Sequence, residues 1–265
     1  MLSPGHPLTP AVLGVVLGLV LVALVVRAVR KDRREYARFK RYRSTRRRQA
    51  LYRRWLIDSF AVFGGASLVI LALTWRQVAL LLGEVEGWAP VQWFRDAASA
   101  PFTQGLLVGG AVVLAAASIA VLLLARGAEE VPTIGDISSL LPRNRSELRY
   151  GLLLSLNAGV VEELMFRLAL PALVYGVTGS ALAAVLGSVG VFAALHVYQG
   201  VAGILGSAVV GGILMALYLL TGSILVPILV HVFIDLRSLV FIPVMVFGVH
   251  RRSAAQRSSR ASGRS

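Results

Sequence analysis

The chain has 265 residues, 57% of them hydrophobic, and a formal net charge of +14. A soluble domain of this length cannot hide so much apolar surface in one core, so the composition excludes an ordinary soluble protein and indicates that a lipid bilayer supplies much of the solvent. The sequence contains no cysteine, which excludes disulfides, thiolate metal sites and a cysteine nucleophile.

Seven apolar segments follow one another along the chain, and they predict seven transmembrane helices. A spanning helix needs about 20 mostly apolar residues to cross a hydrocarbon core about 30 Å thick. In chain order, the predicted spans cover about residues 11–29, 55–75, 106–125, 150–171, 180–197, 201–220 and 224–247. The predicted fold class is therefore an all-α integral membrane protein with about seven transmembrane helices.

Charge and hydropathy divide the chain into three regions. Residues 1–149 hold the first three spans and a basic loop at 27–54, residues 150–247 hold the other four spans, and residues 248–265 form a basic tail. Trp88 and Trp93 lie in the loop between the second and third spans, where we interpret them as interfacial anchors rather than as part of a second domain.

The positive charge is concentrated in two segments that flank apolar spans. Residues 27–54 contain fourteen Lys and Arg against Asp32 and Glu35, which leaves +12, and residues 251–264 contain five arginines. Retention in the cytoplasm and contact with anionic lipid explain both segments without nucleic acid as a partner. We therefore expect the N-terminus outside, the basic loop and C-terminal tail in the cytoplasm, and a location in the plasma membrane of a bacterium.

Ionisable side chains inside the predicted spans are the candidate functional residues. Each costs about 2.5–3.5 kcal/mol at the centre of a span, so such residues usually face a protein interior or an aqueous cavity. The fourth span carries Glu162, Glu163 and Arg167, the fifth His196, and the seventh His231, Asp235 and Arg237. Each alone is typical of a satisfied buried polar group, but together they favour a functional site, with a structural ion-pair network as the alternative.

Helical spacing suggests different roles for these residues. Glu163 and Arg167 are four positions apart and share a face, which predicts an ion pair. Glu162 is turned about 100° away, which frees its carboxylate for another task. His231 and Asp235 are also four apart, so this carboxylate can orient or charge-balance the imidazole.

The fifth span carries the same four-residue spacing in Phe192 and His196. Counting 1.5 Å per residue from the predicted helix ends places His196 nearer the cytoplasmic surface than Glu162, by about 10 Å. The predicted helix boundaries alone therefore do not bring His196 and Glu162 to the same depth.

These patterns resemble the motifs of the CAAX protease and bacteriocin-processing (CPBP, or Abi) family of intramembrane proteases, which includes the type II CAAX prenyl endopeptidases. The family motif E-E-x-x-x-R matches Glu162, Glu163 and Arg167, the motif F-x-x-x-H matches Phe192 and His196, and the motif H-x-x-x-N or H-x-x-x-D matches His231 and Asp235. The resemblance covers about residues 150–247, and nothing before Tyr150 contributes to it.

The resemblance implies an endopeptidase that hydrolyses a peptide bond of a membrane-associated protein or peptide. It implies that Glu162 activates water together with His196, and that His231 and residue 235 stabilise the transition state. The prenyl endopeptidases have asparagine at the position of Asp235. An amide can donate to an oxyanion, whereas Asp235 donates only when protonated, so orientation of His231 is the alternative role for this residue.

Three alternatives stay open at this point. Glu162, His196, His231 and Asp235 form a plausible set of zinc ligands for a metalloprotease, although the sequence lacks H-E-x-x-H. A noncatalytic membrane scaffold or immunity protein could keep the same fold, and an ion-coupled or proton-coupled transporter could use the same buried charges. The ordered motifs favour the enzyme, whereas Asp235 in the third motif keeps the scaffold in consideration.

Overall fold

The computed structural model describes residues 5–29, 34–128 and 135–251. Its regular secondary structure is helical and no strand occurs in these residues, which confirms the all-α fold class. Residues 30–33 of the predicted basic loop and residues 252–265 of the predicted basic tail lie outside the described residues.

Six α-helices precede the motif region. They are α1 (Thr9–Val26), α2 (Arg34–Phe39), α3 (Thr45–Asp58), α4 (Gly65–Glu86), α5 (Ala89–Ser99) and α6 (Pro101–Leu124). A π-helical segment, Ser59–Gly64, joins α3 to α4. The loop predicted around Trp88 and Trp93 forms the short helix α5, which at 11 residues is too short to span a bilayer.

Five α-helices form the motif region. They are α7 (Arg145–Glu163), α8 (Leu170–Thr178), α9 (Ala181–Leu195), α10 (Gly200–Thr221) and α11 (Leu225–Leu236). The helix α7 begins five residues before the predicted start of the fourth span because Asn144 caps it: the Glu147 amide donates to the Asn144 side chain at 3.1 Å. Beyond α7, a π-helical segment and α8 carry the helix on to Thr178, past the predicted end near Pro171.

Five stretches of the described residues are long and apolar enough to cross a membrane. One of them, Ala181–Thr221, contains both α9 and α10, which pack against each other after the chain turns near Gly200. The fourth predicted span is not among the five, and it carries Glu162, Glu163 and Arg167 in its middle. The chain is thus an integral membrane protein with several apolar helices, and the count of seven spans stays a prediction.

The largest buried cluster of the described residues lies where five helices meet. It combines Leu13 of α1, Ile70 of α4, Val161 of α7, Leu170 of α8 and Phe192 of α9. In contrast, Leu122 is the buried residue of α6, so this helix lies at the periphery of the bundle. The cluster therefore joins helices of the motif region to α1 and α4 and gives them a fixed support.

Glycines allow the backbone of α7 to pack directly against α11 and against the π-helical segment Arg237–Val246 that follows it. A Cβ atom on Gly159 would lie 2.4 Å from Cγ2 and 3.0 Å from the amide nitrogen of Val232, and one on Gly151 would lie 2.5 Å from the carbonyl oxygen of Leu239. Small residues permit this kind of close approach between membrane helices. The contact sets the distance between the helices that carry the first and third motifs.

A buried ion pair attaches the basic segment to the start of α7. Arg48 Nε lies 3.1 Å from Glu147 Oε2, and the exposed fractions of the two side chains are 1% and 0%. Arg48 also donates to the Tyr52 hydroxyl at 2.7 Å and to the carbonyl oxygens of Ser139 and Leu141 at 3.0 and 3.1 Å. One arginine of the predicted lipid-facing loop is therefore a buried structural residue.

Candidate active site

The candidate site begins where α7 passes into the π-helical segment Leu164–Ala169. A π-helical turn contains an extra residue, so it changes the direction of the side chains that follow and disturbs the regular backbone hydrogen bonds. The buried Ser188 hydroxyl of α9 donates to the carbonyl oxygen of Phe166 at 2.6 Å. This bond satisfies a carbonyl group of the π-helical turn and fixes α9 beside it.

Glu163 and Arg167 form a fully buried ion pair across this junction. Arg167 Nη2 donates to Glu163 Oε1 at 3.1 Å, and Arg167 Nε lies 3.0 Å from Glu163 Oε2. The guanidinium carbon of Arg167 lies 5.0 Å from the centre of the Phe192 ring, a distance typical of a cation–π contact. The pair that the four-residue spacing predicts is therefore present, and Phe192 packs against it.

Glu163 has a second partner in His231. His231 Nδ1 lies 2.8 Å from Glu163 Oε1, whereas His231 Nε2 lies 3.9 Å from Asp235 Oδ2. Because a carboxylate can only accept, Nδ1–H donates to Glu163. Glu163, rather than Asp235, therefore makes the contact that fixes the imidazole. The sequence-based reasoning missed this contact because no spacing rule links two residues on separate helices.

His196 lies at the end of α9 with one nitrogen directed back at the helix. Its Nδ1 is 2.8 Å from the carbonyl oxygen of Phe192. A carbonyl oxygen only accepts, so Nδ1 carries a proton, and in the neutral ring the basic nitrogen is Nε2. The His196 ring also lies beside the Phe192 ring, with 4.7 Å between the ring centres. These contacts hold His196 in one orientation with Nε2 as its proton acceptor.

Four residues of the predicted site line one cavity of about 780 Å³; they are Glu162, His196, His231 and Asp235. Phe192 also lines the cavity, whereas Glu163 and Arg167 lie behind its wall. The predicted offset of about 10 Å between Glu162 and His196 does not prevent both from facing this cavity. No direct hydrogen bond or ion pair joins Glu162 to His196 in the described part of the chain.

The cavity residues do not form a ready metal site. In residues 5–29, 34–128 and 135–251, no three His, Asp or Glu side chains lie close enough together to hold a metal ion. The bond from His231 Nδ1 to Glu163 leaves Nε2 of the ring able to bind a metal. A catalytic zinc takes three protein ligands, however, and the described residues do not bring three together. Zinc dependence stays open, and no step proposed below uses a metal.

Other polar residues of the cavity had no functional role in the sequence-based reasoning. Asn157 of α7, Ser118 of α6 and Arg237 at the end of α11 line the same cavity as Glu162. Arg237 stands out in the sequence as an ionisable residue in a span, but Ser118 and Asn157 are uncharged and give no such signal.

A comparison with known families agrees with this part of the structure. Residues 144–237 match the sequence model of a family described as type II CAAX prenyl endopeptidase Rce1-like. The matched region runs from the cap of α7 to Arg237 and contains all four of the cavity residues predicted to be catalytic. A significant match was found neither among curated proteins nor among solved structures.

The fold is that of an all-α integral membrane protein. Residues 144–237, which contain the cavity residues, are similar to the type II CAAX prenyl endopeptidase family, and this similarity supports the resemblance found in the sequence motifs.

Proposed function

We propose that the protein is an intramembrane endopeptidase that cleaves a membrane-associated protein or peptide. The observation that supports this most strongly is that Glu162, His196, His231 and Asp235, contributed by three separate helices, line one cavity of about 780 Å³. A cavity of this size is typical of sites that bind a ligand larger than a single ion. The family match in the same residues supports a peptide as the substrate.

In the proposed mechanism, Glu162 is the general base. Its carboxylate takes a proton from a water molecule while the water oxygen forms a bond to the peptide carbonyl carbon. His196 Nε2 accepts a hydrogen bond from the same water and aligns it. The tetrahedral intermediate then breaks its C–N bond, and Glu162 returns the proton to the leaving amine.

His231 is the proposed stabiliser of the tetrahedral oxyanion. When both ring nitrogens are protonated, Nδ1–H donates to Glu163 and Nε2–H is available to the developing negative charge. The Glu163–Arg167 pair lies behind the wall and keeps the ring in place before substrate binds. Such prior orientation is what makes an oxyanion donor effective.

The proposed orientation in the membrane follows from the basic segment. Arg46, Arg47 and Arg53 on α3 are exposed, whereas Arg48 is buried. Exposed arginines beside an apolar stretch suit the cytoplasmic face and its anionic lipids. We place this segment and the C-terminus in the cytoplasm of a bacterial cell, with the N-terminus outside.

The test is peptide cleavage by the purified full-length protein in detergent. Glu162→Gln keeps the shape of the side chain but removes the base, so turnover should fall by about 10²–10⁴-fold, and His196→Ala should have a comparable effect. Glu86→Gln is the matched control, because Glu86 is 57% exposed and lies outside the cavity. Full activity of folded Glu162→Gln and His196→Ala proteins would contradict the enzyme and favour a scaffold or transporter.

Treatment with a chelator distinguishes a mechanism that uses metal-bound water from one in which side chains alone hold the water. The proposed mechanism predicts that prolonged chelation leaves activity unchanged. Loss of activity on chelation and recovery with zinc would instead identify a metalloprotease.

A further inference from the structure

Arg237 is a cation of the cavity wall that the proposed hydrolysis does not use. It lies where α11 passes into the π-helical segment Arg237–Val246. It is also well inside the apolar stretch Leu225–Val246, which is long enough to span a membrane. An arginine at such a position is costly to insert, and it usually has a partner or a function.

The described partner of Arg237 is an uncharged hydroxyl. Arg237 Nε donates to Ser118 Oγ of α6 at 2.8 Å. Within the described ranges, no carboxylate forms an ion pair with Arg237. The Ser118 contact uses one of the five N–H groups of the guanidinium, so both Nη groups keep their capacity to donate.

Two arginines of the described residues, Arg48 and Arg167, are fully buried, and each has a carboxylate as its partner. Arg48 lies 3.1 Å from a Glu147 oxygen, and Arg167 lies 3.0 Å from a Glu163 oxygen. In both cases a buried carboxylate balances the charge of the guanidinium. Arg237 faces a cavity rather than packed side chains, so a carboxylate of a bound ligand can reach its guanidinium.

We propose that Arg237 binds a carboxylate of the peptide substrate and thereby selects which peptides are cleaved. This inference rests on the proposed peptidase function. Arg237 is six residues after His231, which is about 9 Å along a helix axis, and both residues line the same cavity. One short extended peptide, at about 3.3 Å per residue, can therefore contact both Arg237 and His231. The guanidinium fork suits a planar carboxylate with two parallel hydrogen bonds.

The depth of Arg237 favours a peptide over a lipid headgroup as the source of the anion. Arg237 is nine residues from Val246, the nearer end of an apolar stretch of 22 residues, so it lies in the middle part of that stretch. Lipid phosphates lie at the membrane surface, outside the hydrocarbon core. A lipid phosphate would have to leave the membrane surface to reach Arg237, whereas a peptide bound for cleavage beside His231 already lies next to it.

The test measures binding separately from cleavage. The full-length Glu162→Gln protein in detergent is titrated with three dansylated pentapeptides of alanine and leucine. The first has a free C-terminal carboxylate, the second a C-terminal carboxamide, and the third a carboxamide and a central glutamate. The first and third peptides distinguish a terminal carboxylate from a side-chain carboxylate as the bound group.

We expect at least one carboxylate peptide to bind about 10-fold to 100-fold more tightly than the uncharged peptide, as charge-assisted hydrogen bonds allow. Adding Arg237→Gln should remove this difference, whereas Arg237→Lys should keep part of it. Ser118→Ala removes the hydrogen bond between Arg237 and α6 but leaves the charge of Arg237, so the preference for carboxylate peptides should remain. This variant therefore distinguishes binding of the anion from the structural contact with α6. Arg76→Gln, which changes an exposed arginine outside the cavity, is the matched control.

Three results would overturn the proposal. In the first case, the three peptides bind equally well to the protein that retains Arg237, and in the second, the carboxylate preference persists unchanged in Arg237→Gln. In the third case, phosphatidylglycerol in mixed micelles displaces the peptide, and this displacement depends on Arg237. If carboxylate binding depends on Arg237 but no peptide is cleaved by the unsubstituted protein, the peptidase function fails while the anion site stands.

Discussion

His231 Nδ1 lies 2.8 Å from Glu163 Oε1, and the same carboxylate is held by Arg167, whose Nε is 3.0 Å from Oε2. The first and third motifs therefore meet through Glu163, and Phe192 of the second motif packs on the Arg167 guanidinium at 5.0 Å. The three motifs thus share one buried cluster, and this cluster lies behind the cavity that the proposed catalytic residues line. Glu162 and Glu163 are adjacent but face these two different environments.

Arg167→Ala should strongly destabilise the protein, whereas Glu162→Ala should not. Removing Arg167 leaves the buried Glu163 carboxylate without its cation, which costs about 3–5 kcal/mol for a buried pair. Glu162 lines the cavity and has no ion-pair partner among the residues the structure describes. Thermal unfolding in detergent compares the two variants. Equal melting temperatures and equal yields for the two variants would show that the Glu163–Arg167 pair does not stabilise the fold.

Asp235→Asn should retain peptidase activity. Asp235 Oδ2 is 3.9 Å from His231 Nε2, and Glu163 already holds the ring through Nδ1. An asparagine would add an N–H donor on the cavity side without removing that contact, so it could support an oxyanion. The measurement is kcat/KM for Asp235→Asn beside Glu163→Gln, in which we expect a large loss. Loss of activity in folded Asp235→Asn protein would show that its carboxylate is required.

Gly159→Ala should separate α7 from α11 and disturb the site. The new Cβ would lie 2.4 Å from Val232 Cγ2, and overpacking of this kind costs about 1–3 kcal/mol. Gly212→Ala on α10 is the matched control, because a Cβ there meets no atom within 4 Å. Peptide cleavage and thermal unfolding are measured for both. Native behaviour of Gly159→Ala would mean that the helices tolerate a wider spacing.

Local sequence patterns predict the parts of this structure that depend on neighbouring residues. Apolar length predicts the long helices, and the four-residue spacing predicts the Glu163–Arg167 pair, since both properties are set within one helix. The same reasoning places Glu162 on a different face from Glu163, and the cavity indeed contains Glu162 alone of the two.

Contacts between distant segments could not be predicted in this way. The His231–Glu163 bond joins residues 68 positions apart, and the Arg48–Glu147 pair joins residues 99 positions apart. In the sequence, Arg48 is one cation in a run of three arginines, and its burial depends on a partner on α7. The π-helical turn after Glu163 likewise has no simple sequence signal, although it determines where Arg167 points.

Arg48→Ala and Arg47→Ala provide a matched pair for the buried contact between α3 and α7. Arg48 is 1% exposed and paired with Glu147, whereas Arg47 beside it is exposed. Losing Arg48 leaves the fully buried Glu147 carboxylate unbalanced, so the free energy of unfolding should fall by about 3–5 kcal/mol. Arg47→Ala should change it by less than about 0.5 kcal/mol, as exposed substitutions usually do. Chemical unfolding in detergent gives both values, and similar losses would contradict a special role for Arg48.

Ser44→Cys should be protected from a membrane-impermeant thiol reagent in intact cells. Ser44 lies directly before α3 in the basic segment, which we expect in the cytoplasm because cationic loops are retained there. The absence of native cysteine makes the introduced thiol the single target in the chain. Ser99→Cys, at the exposed end of α5, follows the second predicted span, so it should lie outside the cell and be labelled at once. Permeabilised cells should label both variants, which controls for burial of the thiol. Rapid labelling at position 44 in intact cells, with position 99 protected, would reverse the orientation and place the basic segment outside the cell.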